Sequence, residues 1–246
     1  MKMYEKIAKL LDNAFGNNWF LDSGSLLGVV RNGNFLSGDS GIDISVIVND
    51  YNDPTIQKVE KEMEALGFIS SKYDWGGIVY KFCFVPSLNM KFEYSIDFHI
   101  FIKGNDAFKC PQVSLCHLNA IESITTRCKK GNLMYTPSYS MIKKVLLSSF
   151  EYFYRYTFRY FKSPIRMRDF AIKNKGDVYF WVIPNNIDFS VDKDKTYGLN
   201  YLIHPDSYLT YRYGDWHTPV SDWDTLRDDG GIRKASIKDV DSFLSI

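Results

Sequence analysis

Long apolar runs, paired cysteines and a dominant charge are all missing from this 246-residue chain, and each absence removes a class of function. No apolar stretch approaches the roughly 20 residues that cross a bilayer. The opening residues, Met1-Lys2-Met3-Tyr4-Glu5-Lys6, do not form a secretory signal, so a cytoplasmic location is expected. Thirty basic residues against 29 acidic ones leave a formal net charge of +1, short of the clearly basic surface that nucleic-acid binding needs. The four cysteines show no C-x-x-C spacing. Cys110, Cys116, His117 and Cys128 could arithmetically hold zinc, and ordinary reduced thiols are the alternative. There is no internal repeat, low-complexity segment or obvious linker. Aromatic residues, at 16%, are plentiful, which suits carbohydrate stacking and equally a well-filled core.

The most informative segment is Leu21-Asp22-Ser23-Gly24-Ser25-Leu26-Leu27-Gly28-Val29-Val30-Arg31, followed by Asp39-Ser40-Gly41-Ile42-Asp43-Ile44. A strand-like run, Trp19 to Leu21, enters a Gly-Ser turn. A short helix pattern follows, and then a strand alternating carboxylate with aliphatic. That order suits a helix N-terminus holding a phosphate and acidic side chains holding a divalent cation. On a helix starting at Ser25, Gly24, Gly28 and Arg31 share one side: the glycines permit close approach of a ligand and Arg31 reaches towards it. Leu26, Leu27 and Val30 point into a core. On the next strand, period 2 places Asp39, Gly41, Asp43 and Ser45 on one face. Phe92 to Phe101 repeats the arrangement, with Glu93, Ser95, Asp97 and His99 on the polar face. If the two strands are neighbours, Asp97 joins Asp39 and Asp43. Aspartate in a strand interior is disfavoured without a task, and three converging carboxylates call for Mg²⁺ or Mn²⁺. His99 alone reads as a structural histidine.

The run from Trp19 to Val46 resembles the signature of the LicD/fukutin group of phosphotransferases, which have the nucleotidyltransferase fold. The matching parts are Asp22 to Arg31, Gly33-Asn34-Phe35-Leu36 and Asp39 to Ile44. Ile96-Asp97-Phe98 resembles the family's later Asp-Ile-Phe strand. Tyr208-Leu209, Tyr213-Gly214-Asp215-Trp216 and Pro219 resemble its C-terminal element. The resemblance implies transfer of a phospho-alcohol from a CDP-linked donor to a glycan hydroxyl, with phosphocholine, glycerol phosphate or ribitol phosphate as the group moved. Gly24 and Ser25 would hold the donor diphosphate, with Arg31 neutralising charge. Asp39, Asp43 and Asp97 would bind Mg²⁺ or Mn²⁺, Asp97 would accept the acceptor's proton, and CMP would leave. Tyr213, Asp215 and Trp216 would meet a substrate, or else Gly214 stops a helix and Trp216 anchors the tail. The chain departs from the family at Gly41, where an acid is usual. Two rival readings are a nucleotide-monophosphate transferase releasing pyrophosphate and a non-catalytic glycan-binding relative.

The expected architecture is α+β: a nucleotidyltransferase-like core over residues 1–104, with a mixed sheet flanked by helices, and a mainly helical C-terminal substrate-binding region over 105–246. Residues 3 to 15 read as an amphipathic helix, and Asp53-Pro54 starts another that stops at Gly67. Phe68 to Tyr73 and Ile78 to Val85 read as a strand pair. Residues 105 to 140 are irregular in pattern. Met141 to Tyr160 reads as a helix that joins Arg155, Arg159, Lys162, Arg166 and Arg168 in a basic, aromatic zone. Core packing, a pyrophosphate cradle and association with a membrane surface near a lipid-linked acceptor all fit that zone. Tyr179 to Ile183 reads as a strand and Pro205 to Tyr213 as a helix, with a turn-rich tail around Asp222 to Gly231.

Overall fold

A computed structural model describes residues 2–114 and 164–244, apart from 38, 40, 88, 89 and 93, together with residue 149. Helix α1 (Met3–Phe15) buries Ile7, Leu10, Leu11 and Phe15, the stripe its 3.6-residue period sets up. Strand β1 (Trp19–Leu21) leads directly into helix α2 (Ser23–Asn32), which ends at Gly33 in the left-handed conformation. Strand β2 (Gly41–Val48) follows. Helix α3 (Pro54–Ala65) has Pro54 in its first turn and Asp53 as its cap, the Asp53 carboxylate accepting Thr55 N–H. Strands β3 (Phe68–Trp75) and β4 (Ile78–Pro86) form the expected hairpin, and β5 (Ser95–Lys103) runs through the middle of the sheet.

Strand β5 makes three partnerships. It pairs with β2 in parallel from Gly41↔Ser95 to Val48↔Ile102, and with β4 antiparallel from Lys81↔His99 to Phe84↔Ile96. Its last residues, Ile102 and Lys103, pair with β6 (Ala107–Val113). Because β4 and β6 take successive halves of one edge, the sheet curls. Strand β8 (Val178–Pro184) pairs with β6 along all seven residues, and β11 (Ile232–Ala235) covers β8. Among the described residues the sheet has nine strands, the remaining ones being β1, β3 and a short β7 (Ile165–Arg166). Strands β9 (Val191–Lys193) and β10 (Asn200–Leu202) form a separate ribbon, joined to β1 by Asn200 Nδ2 donating to the Trp19 carbonyl at 3.1 Å. Helices α4 (Met167–Asn174), α5 (Pro205–Tyr213), α6 (Thr225–Asp228) and α7 (Ile237–Leu244) complete the described chain.

The fold is thus a mixed α+β arrangement of a curled mixed sheet flanked by helices. Two expectations change. Among the described residues after 104, strands are almost as extensive as helices, in place of a mainly helical half. Strand β6 occupies a stretch read as irregular, since Lys109 and Pro111 interrupt its alternation. The Met141–Tyr160 helix, Arg155, Arg159 and Lys162 lie outside the described residues, as do Cys116, His117 and Cys128 of the zinc alternative. Cys110 is buried on β6, and burial pushes its thiol up to about 12.

Candidate active site

The site is a cleft of about 610 Å³ in which the middle of the sheet meets the first turn of α2 and the segment after α5. Its floor comes from strand pairing. Asp43 on β2 and Asp97 on β5 are register partners, so they share one face and lie side by side. His99 follows two residues after Asp97 on that face. Ligand atoms of Asp43, Asp97 and His99 all lie within 4.8 Å of one another. From β4, the Lys81 ammonium donates to Asp97 Oδ2 at 3.0 Å. Asp43 is pushed up to about 8, first by burial and then by the Asp97 charge, with Lys81 opposing. Burial works to lower Lys81, but the carboxylates of Asp97 and Asp43 outweigh it and hold the ammonium above its ordinary range.

Above the floor stands α2. It starts at Ser23, two residues earlier than the Gly-Ser pair suggests, because Asp22 caps it by accepting Ser23 N–H. Ser23 takes up the cost of the abrupt entry with φ of 48°, a value few non-glycine residues adopt. Ser23 and Gly24 line the cleft. Ser25 does not: it is buried, and its Oγ accepts Asp43 N–H at 2.9 Å, locking β2 beneath the helix. Gly28 faces the chain itself, since a Cβ there would lie 2.7 Å from Asn34 O and Leu36 N. A Cβ at Gly24 would meet Asp39 Oδ2 at 3.0 Å. Asp39 is at the mouth, before β2 begins, and is not among the three residues whose ligand atoms converge. Partial desolvation in the cleft nevertheless raises its carboxyl.

The remaining wall comes from the C-terminal half. Arg212 is buried, with its guanidinium carbon 4.2 Å from the Trp181 ring centre. It pairs with Asp22 at 3.1 Å and with Asp229 at 2.6 Å. Asp22 also accepts from Tyr208 at 2.6 Å and from Ser45 Oγ at 2.5 Å. This network ties the α2 cap, β2, α5 and the turn before β11 together, and its Arg212 and Asp229 belong to no motif read from the sequence. Arg31 lines the cleft and donates to the Trp216 carbonyl at 3.2 Å. Tyr213, Asp215 and Trp216 all line the cleft too. Trp216 is buried, while exposed Asp215 accepts from Thr218 Oγ1. The Trp181 indole N–H, on the same wall, is buried without a hydrogen-bond partner among the described residues. Such a donor costs about 1–3 kcal/mol unless a ligand oxygen satisfies it.

Lys81 had a signal in the sequence: it is the lone charge inside the apolar run Ile78 to Val85. Arg212 had none, because an arginine in the last turn of a short helix reads as solvated.

The family model described as LicD/FKTN/FKRP, nucleotidyltransferase domain, matches residues 16–108. The matched segment contains α2, Asp43, Lys81, Asp97 and His99, so this part of the chain is similar to the LicD domain. A domain of this kind suggests a transferase with a phosphotransferase or glycan-modifying role. No curated protein matches the chain. Among the described residues, no helix is long and apolar enough to cross a membrane.

Proposed function

We propose that the protein is a metal-dependent phosphotransferase with a nucleotidyltransferase-like core, moving a phospho-alcohol from a CDP-linked donor to a hydroxyl of a cell-surface glycan or its precursor. One observation carries the reading: Asp43 and Asp97 stand paired in register beneath the first turn of α2, inside the LicD domain. Paired carboxylates with ligand atoms this close repel one another, and a divalent cation relieves that repulsion. Asp43 and Asp97 would hold Mg²⁺ or Mn²⁺, with Asp39 adding negative charge at the mouth. When bound, the ion neutralises phosphoryl charge and polarises the phosphorus centre.

The protein groups supply position. With the Ser23 N–H taken by Asp22, the first turn of α2 at Gly24, which lines the cleft, would offer its backbone N–H to the donor diphosphate. Ser25 acts beneath it by fixing Asp43. Arg31 adds a guanidinium on the same side, held in place by the Trp216 carbonyl. Asp97 is placed to take the acceptor hydroxyl's proton, with Lys81 balancing its charge. Attack on the phosphorus bearing the alcohol would expel CMP. Trp216 and Tyr213 give the acceptor or donor an aromatic wall.

The test is a thermal-shift screen with CDP-choline, CDP-glycerol and CDP-ribitol, with and without divalent cation, followed by product analysis. A donor at a hundred times its dissociation constant should stabilise the protein by about 2.7 kcal/mol. CMP as the product supports phospho-alcohol transfer. Pyrophosphate from a nucleoside triphosphate would instead support nucleotidyl transfer, and failure to bind cation or cytidine nucleotide would support a non-catalytic role.

A further inference from the structure

We propose that His99 is the third protein ligand of the divalent ion, standing in for the acid missing at position 41, and that its nitrogen turns the site's preference from Mg²⁺ towards Mn²⁺. This rests on the reading that Asp43 and Asp97 hold a divalent cation. Strand β2 brings only one carboxylate to the floor, because its first residue is Gly41 and Asp39 lies outside the converging set. Opposite ligands on an octahedral ion are about 4.2 Å apart. Ligand atoms of Asp43, Asp97 and His99 within 4.8 Å of one another therefore need only a small closure to share one ion.

The imidazole is also prepared for the task. His99 is in the middle of β5, paired with Lys81 on one side and Ser45 on the other, so its backbone is fixed by two strands. Its ring packs edge-on against Trp181, with centroids 4.9 Å apart, which restricts its rotation. Both residues line the cleft. Mg²⁺ prefers oxygen ligands throughout, whereas an imidazole nitrogen suits later divalent metals, and Mn²⁺ tolerates both.

The test uses the full chain, Mn²⁺ and CDP. Pulsed electron paramagnetic resonance of bound Mn²⁺ should show a directly coordinated ¹⁴N, and the signal should change to the ¹⁵N pattern when histidine is labelled. His99→Asn should abolish that coupling. His99→Asp, which restores a third carboxylate, should lower the ratio of Mn²⁺ to Mg²⁺ affinity by about tenfold. The labelled wild-type protein keeps the test decisive should a variant fold poorly. Bound Mn²⁺ without nitrogen coupling, in a protein whose Mn²⁺ affinity falls in Asp43→Asn, overturns the role of His99 and leaves the carboxylate site standing. Mn²⁺ affinity unchanged in Asp43→Asn, or no Mn²⁺ binding with or without CDP, overturns the carboxylate site and the inference together.

Discussion

At the floor of the cleft, two carboxylates and an imidazole meet, and among the described residues the Lys81 ammonium stands against Asp97. A short way off, Asp22 accepts from Ser23 N–H, Ser45, Tyr208 and Arg212, and Asp229 receives the other side of the same guanidinium. Both regions bury acid in a low-dielectric setting, and they differ in how far the carboxyl groups are shifted. At the floor, burial and Asp97 drive Asp43 up to about 8. In the Asp22 network every acid has strong donors, which is what buried charge requires to persist. A buried, satisfied network builds the protein, while a carboxyl held well above its ordinary range at the floor of a cleft marks where a ligand is expected.

The largest expected contrast comes from removing charge at each place. Asp43→Asn removes a metal ligand while keeping its shape, so transfer should fall by orders of magnitude, with about tenfold for each 1.4 kcal/mol lost. Its fold should survive, because it relieves repulsion with Asp97. A retained activity above about a tenth would show that Asp43 is not a ligand. Arg212→Met should do the opposite. It leaves Asp22 and Asp229 buried without their cation, a loss of about 3–5 kcal/mol in denaturant unfolding. If Arg212→Met is as stable as wild type but inactive, Arg212 belongs to the chemistry instead of the frame.

A pH titration sharpens the same contrast. The folded protein keeps a proton on Asp43 up to about 8, whereas the unfolded chain releases it near the ordinary aspartate value of about 4. The folded state therefore binds more protons through that window, and the metal-free protein should lose stability as pH rises from about 4 to about 8. Asp43→Asn should flatten the slope, as should saturating Mn²⁺, which displaces the proton. Equal slopes in wild type and Asp43→Asn would mean that Asp43 ionises normally.

Much of the floor was legible from residue order because strands have period 2. Asp43 and Asp97 each stand out as acids among aliphatic and aromatic neighbours, and parallel pairing of β2 with β5 brings them together as the alternation suggested. Helices α1, α3 and α5 were legible for related reasons: apolar spacing, Asp53-Pro54 at a start, and Gly214 at a stop. The start of α2 was misplaced by two residues because Gly-Ser looked like the turn, whereas Asp22 is the cap. His99 reads as structural from its own strand, which shows only Asp97 two residues before it, and the pairing with β2 is what brings Asp43 beside the two. The Asp22–Arg212–Asp229 network was not readable, since its members are up to 207 positions apart and Arg212 and Asp229 each have the look of surface residues.

A smaller effect is expected at Arg31, which joins α2 to the segment after α5. Its guanidinium spans from α2 to the Trp216 carbonyl while facing the cleft. Arg31→Lys keeps the charge but loses the planar fork, so donor affinity should weaken by several-fold with the fold intact. Calorimetry with a CDP-linked donor checks this, and unchanged affinity would confine Arg31 to holding the C-terminal segment.

The smallest and most discriminating change is Gly41→Asp, which adds to the floor the charge that the Asp22 network never lacks. Position 41 pairs with Ser95 and is two residues before Asp43, so its side chain belongs to the cleft face of β2. A Cβ there would meet Ser95 Oγ at 3.2 Å, and that hydroxyl can swing aside, so the cost should stay within about 1 kcal/mol. The new carboxylate would lie about 7 Å along the strand from Asp43. That is too far to complete a tight site unaided, but near enough to draw a cation in through the field of the cleft. Divalent-cation affinity of the nucleotide-free protein should therefore rise by several-fold, with a larger gain for Mg²⁺ than for Mn²⁺ because the added ligand is oxygen. Isothermal calorimetry with each cation in turn measures both. An unchanged affinity for both cations would mean that position 41 does not address the ion. The ligands would then have to come from β5 and from Asp43 further along β2, which is the arrangement that Asp97, His99 and Asp43 already present.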